Sequence, residues 1–264
     1  MKKLILVSLL TVFAATAANA GNIINNNPLY RPDQGRFYSI TGLETHSKAD
    51  LKSWALNEEF GYGITKDLAV ILGTSASTFE HNIKDKQGYS WDDFSIGLNY
   101  RVLNHSEWKA DVFGTLKFGD VWGDHRPFLD KDDTTYLWTV GVRGGYATDQ
   151  FTVAGHIAYD YSNSEAFNWG DKYLLNHKVR LGLDGQYVLT DNWNLTAGAE
   201  YTGIVGETYG AKNLGITTGT FGVNYNIDTT KFVGAYIGKE YAHATGEWEP
   251  QDGFVWGAKF GIDF

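Results

Sequence analysis

Beyond residue 35 the chain alternates apolar and polar positions with a period of two, in runs of about 11–14 residues. The last twelve residues show it most plainly. Phe254, Trp256, Ala258, Phe260, Ile262 and Phe264 share one parity, and Val255, Gly257, Lys259, Gly261 and Asp263 share the other. Strands are expected over 36–46, 52–64, 68–79, 91–103, 107–119, 134–147, 151–162, 174–189, 193–204, 214–227, 231–243 and 253–264. Short polar turns at 65–67, 104–106, 148–150, 190–192 and 228–230 follow the even-numbered strands. Mostly longer connections follow the odd ones, the longest spanning 120–133.

The faces decide what such strands build. In the fourth, Phe94, Ile96, Leu98, Tyr100 and Val102 alternate with Asp93, Ser95, Gly97, Asn99 and Arg101. The fifth, sixth and eighth strands repeat this, with Asp111, Lys117, Arg143, Lys178, Arg180 and Asp184 on their polar sides. Turned inward, the apolar faces of twelve strands would enclose a very large dry core under a charged coat, with no helix to fill it. Turned outward to lipid, they form a single 12-stranded antiparallel transmembrane β-barrel (all-β), with residues 36–264 in the barrel and residues 21–35 as an irregular, Asn-rich lead-in. Two strands break the rule. Glu58 falls on the apolar parity of the second strand, and a β-bulge that shifts the parity is the expected escape. The eleventh strand, KFVGAYIGKEYAH, does not reveal its faces.

Composition agrees. Thirty-one glycines, nine Trp, sixteen Tyr and fifteen Phe against four prolines suit a β-rich wall with aromatic girdles. Residues 1–20 read as a cleaved secretory signal: Lys2 and Lys3, an apolar stretch too short to span a bilayer, then Ala18-Asn19-Ala20. Losing those two lysines takes the formal charge from −9 to −11, which argues against nucleic acid as a partner. With no cysteine there is no disulfide, thiolate nucleophile or Cys-ligated metal, and no cofactor is expected.

The terminal segment GFVWGAKFGIDF resembles the last strand of Gram-negative outer-membrane β-barrels, small porin-like barrels included, although Lys259 stands where their usual signature has glycine. The resemblance implies that Phe264 is the signal read by the barrel-assembly machinery. It also implies placement in the outer membrane against outer-membrane lipids and lipopolysaccharide.

The inward faces carry Arg101, Lys117, Arg143, Lys178 and Arg180, with Asp93, Asp111, Asp160, Asp184 and Glu200 as counter-charges. One reading is a narrow pore for passive diffusion of small polar or anionic solutes, in which these residues set selectivity. The bland reading is that the charges pair and brace or plug the lumen. A non-conducting structural or surface-recognition barrel acting through its loops is the second function considered. A lipid- or lipopolysaccharide-modifying enzyme is the third. Against the enzyme, no His is followed two residues on by Ser, and Asp124-His125 and Asp92-Asp93 lack the spacing of an outer-membrane protease. His156 and Asp160 share a parity but sit about 13 Å apart along a strand. Asp130, Asp132 and Asp133 lack the glycine and spaced Glu of a calcium loop, and Gly234, Gly238 and Lys239 lack the form of a phosphate loop. No catalytic or metal site is therefore expected.

Overall fold

A computed structural model of the chain describes residues 27–48, 51–81, 86–122, 135–162, 165–168, 171–174, 177–205, 211–246 and 252–264. The expected leader and most of the 120–133 loop, Asp130, Asp132 and Asp133 among them, lie outside the described residues. Fourteen strands follow in order: β1 Phe37–Lys48, β2 Leu51–Gly63, β3 Leu68–His81, β4 Lys86–His105, β5 Trp108–Trp122, β6 Thr135–Ala147, β7 Phe151–Ser162, β8 Glu165–Asn168, β9 Asp171–Leu174, β10 His177–Val188, β11 Trp193–Ile204, β12 Ala211–Asn226, β13 Lys231–Gly246 and β14 Gly253–Asp263. Twelve close into an antiparallel barrel in the order β1-β14-β13-β12-β11-β10-β7-β6-β5-β4-β3-β2. The short strands β8 and β9 pair as a separate hairpin between β7 and β10. Several strands run past the apolar alternation on the loop side: β4 begins at Lys86 rather than 91, and β13 continues to Gly246.

The ring closes where the chain ends. Phe37 N–H donates to Phe264 O (2.7 Å), Phe264 N–H donates back to Phe37 O (2.8 Å), and their rings stack at 6.0 Å. The short turns carry their own capping. Thr65, Thr148 and Thr190 each accept backbone N–H bonds from residues two and three further on, and Asp228 accepts the N–H of Thr230. The remaining turn places Ser106 at φ 53°.

The apolar faces point outward. Phe94, Ile96, Leu98, Tyr100 and Val102 are all exposed, as are Val140, Leu183 and Ile237. Aromatic side chains form two bands. The lower includes Phe37 stacked on Tyr62, Trp108 against Tyr146, and Trp193 against Tyr225. The upper includes Trp54 against Trp256 and Phe118 against Tyr136. Phe37 pairs with Tyr62 and Thr45 with Trp54, so the bands are eight residues apart on β1. That is about 26 Å along the strand and about 20 Å along the normal once tilted, close to the hydrocarbon thickness an outer-membrane barrel covers.

The second predicted strand corrects one expectation. β2 pairs with β1 and β3 in unbroken register, so no bulge rescues Glu58. The carboxylate stays on the outer face and accepts hydrogen bonds from Ser39 Oγ and Thr41 Oγ1 of β1, both 2.6 Å. The register irregularities fall instead on β4, where Asp92 and Val102 are skipped, and on β12 after Lys212. The eleventh predicted strand, now β13, also gains its faces. Val233, Ile237 and Tyr241 are exposed, while Phe232 is fully buried and Tyr236 turns inward. Two inward aromatics and an outward Lys239, held over Tyr241 (4.4 Å) and Phe254 (5.6 Å), hid the alternation.

Candidate functional site

The polar faces meet in the lumen, and the lead-in meets them there. Residues 27–36 run across the lower end of the barrel. Leu29 is 3% exposed, and Tyr30 and Ile40 pack against buried Tyr38 and Phe232 as a compact apolar floor. Tyr30 Oη donates to Asp263 Oδ2 (2.9 Å), and its ring meets Tyr38 edge-on at 5.6 Å. Burial, reinforced by the Asp263 carboxylate, pushes the Tyr30 phenol well above the ordinary tyrosine range, so it remains a donor at every physiological pH. Gln34 bridges Gly63 in parallel, and a Cβ on Gly63 would lie 2.0 Å from Asp33 O. That close approach is why glycine ends β2. Gly63→Ala is therefore expected to push the lead-in off the wall, seen as faster protease cleavage within residues 27–36.

Two arginines hold the lead-in from the far wall. Arg101 on β4 donates Nη2 to Leu29 O (2.8 Å) and pairs with Asp111 on β5 through Nε–Oδ1 (2.5 Å) and Nη2–Oδ2 (3.2 Å). Both are nearly sealed from solvent, at 7% and 1% exposure. Arg143 on β6 donates Nη1 to Pro28 O (2.9 Å), with its guanidinium 5.4 Å from the Phe113 ring.

Higher up, Arg180 on β10 grips Asp160 on β7 with two hydrogen bonds (2.8 and 3.1 Å) and approaches Glu200 on β11 at 3.6 Å. Thr139 Oγ1 donates to Asp160 (2.7 Å). His156 sits between Glu200 (2.9 Å) and Asp184 (3.4 Å). Another part of the ring carries His46 between Glu44 (2.7 Å) and Glu240 (3.6 Å), Tyr236 donating to Glu44, and Lys259 5.0 Å from the Tyr236 ring. Between these groups, above the lead-in, lies a polar cavity of about 490 Å³. Tyr38, Glu59, Asn99, Arg143, Asp184 and Lys259 are among its lining. A concavity of about 610 Å³ over Val142, Ile157, Leu181 and Leu183 opens on the lipid face and is almost wholly apolar.

The structure thus joins Arg101 with Asp111, and Arg180 with Asp160, Glu200, His156 and Asp184. It sets Arg143 against the lead-in. Lys117 lies opposite Ser95 and Leu137, and Lys178 opposite Asp160 and Ile204. Asp93 pairs with Ser75 and Gly119 in the backbone register. Sequence reading missed His156–Glu200, because it lies between strands. It also missed Glu44–His46, although two polar residues two apart on an inward parity are a readable sign.

No protein-family model and no curated protein matches the chain. Solved structures do. An outer-membrane channel from Pseudomonas putida F1 superposes with a TM-score of 0.68 at 14% identity, covering 90% of this chain and 98% of that one. The NanC porin gives 0.57 at 12% identity, covering 84% and 98%. The translocator domain of the autotransporter NalP from Neisseria meningitidis gives 0.54 at 13%, covering 89% and 91%. The chain has the fold of outer-membrane β-barrels.

Proposed function

We propose that this protein is an outer-membrane channel through which small polar solutes diffuse passively. One observation carries the reading: a cavity lined by ionic, amide and phenolic groups stands inside a wall whose outer face is apolar. The channel and the porin it superposes on support the reading by fold. Arg101 and Arg180 are matched by carboxylates along the wall, and Arg143 and Lys178 are the cations to which we assign any preference for anions. Asp184 is their counter-charge, with Asp111, Asp160 and Glu200 engaged in bracing. In planar bilayers the refolded protein is expected to give discrete conductance steps, and Arg143→Ala with Lys178→Ala to lower the chloride-to-potassium permeability ratio. A bilayer that stays silent at high protein load overturns the channel.

Lipopolysaccharide and phospholipid would meet the two aromatic bands, and Phe264 would serve as the signal for the assembly machinery. Deleting Phe264 is then expected to cut the amount of folded barrel in cells far more than refolding yield in detergent, both read by the gel shift of unheated samples. Equal losses in the two settings would leave only the stacking and closure bonds as its role.

A further inference from the structure

Glu58 stands on the lipid-facing side of β2, on the same parity as exposed Leu56 and Phe60. Thr41, Glu58 and Thr74 form one cross-strand row over β1, β2 and β3. Ser39 and Thr41 hold the carboxylate, one hydroxyl to each oxygen. Four residues separate Glu58 from Tyr62 in the lower aromatic band, about 13 Å along the strand and about 10 Å along the membrane normal. A lipid headgroup at the membrane surface does not reach that depth. Facing acyl chains, a carboxyl is costly, and ionisable groups in membranes otherwise turn towards protein or water.

The rest of the wall says what covers it. Outward mid-wall positions on other strands, including Ile96, Val140, Leu183, Ala199, Ile237 and Ala258, are apolar. The outward Lys239 is held near the upper band by Asp252 (3.7 Å) and Tyr241, so at the depth of Glu58 the row on β1–β3 finds its hydrogen-bonding complement on a second copy of this chain in the same row. Ser39 and Thr41 already give their hydroxyl protons to the carboxyl of their own copy, so a two-fold contact exchanges these bonds, hydroxyls of each copy turning to the carboxyl of the other. We propose that the β1–β3 wall around Glu58 is the interface of a two-fold dimer within the membrane, the carboxyl of each copy bonding to the hydroxyl row of the other.

The chain has no cysteine, so single cysteines report proximity cleanly. Ala76 lies one row above, opposite Leu56, and Leu183 lies on the other side of the ring. Ala76→Cys, folded and dilute in phosphatidylcholine vesicles, is expected to give a disulfide-linked dimer on oxidation, while Leu183→Cys stays monomeric. Adding Glu58→Leu to Ala76→Cys is expected to lower the dimer yield several-fold. Should that variant fail the folded gel shift, Thr41→Val serves in its place with the same expectation. Equal yields at positions 76 and 183 would mean that lipid covers the row, and an unchanged yield with Glu58 or Thr41 replaced would remove its part in the contact. The first result overturns the dimer, and the second overturns the proposal that this row holds it.

Discussion

Asp111→Ala is expected to lower the stability of the folded barrel by about 3–5 kcal/mol, measured by equilibrium denaturant unfolding in detergent. The size follows from burial. Arg101 and Asp111 are directly opposed in register on β4 and β5 and joined by two hydrogen bonds in a sealed part of the lumen. Removing the acid leaves a guanidinium without its counter-charge, held only by Leu29 O. Replacing both partners, Arg101→Met with Asp111→Leu, is expected to cost far less, because no charge is then left unpaired. A loss below about 1 kcal/mol for Asp111→Ala, the range of an exposed pair, would show that water reaches the guanidinium.

Removal of residues 21–34 is expected to raise single-channel conductance several-fold while the barrel still folds. The lead-in lies across the lower lumen, and closure depends on Phe37 and Phe264, which the truncation leaves in place. The wall loses the Tyr30–Asp263 bond and the carbonyls that Arg101 and Arg143 use; Arg101 keeps Asp111, so the Arg143 guanidinium is the charge that faces the widened passage. Anion preference should rise together with conductance. An unchanged conductance would place the narrowest point elsewhere. The contrast with Gly63→Ala is informative, since that change displaces the lead-in without removing it.

The barrel was legible because lipid imposes one rule on every strand. Alternation gave the outward faces, and Thr or Asp at the head of four turns gave the ends of the hairpins. Glu58 showed where the rule has exceptions. Its parity was read correctly, but the remedy lay on the neighbouring strand, in Ser39 and Thr41, which no pattern within β2 could reveal. β13 failed for the opposite reason: Phe232 and Tyr236 are aromatics that serve the lumen. Alternation put the charged residues on the polar faces as a set. Their partners depend on register between strands, which fixes Arg101 opposite Asp111 and sets Arg180 diagonal to Asp160. The lead-in was read as irregular because its contacts have no period. They are made one at a time, to β2, β4, β6 and β14.

That distribution constrains the order of assembly. Gly63, Arg101, Arg143 and Asp263 come within reach of a single short peptide only after the first and last strands have met. Docking of residues 27–34 at all four places is thus expected to follow closure, and a newly closed ring then passes through a state in which the end that the lead-in covers is unobstructed.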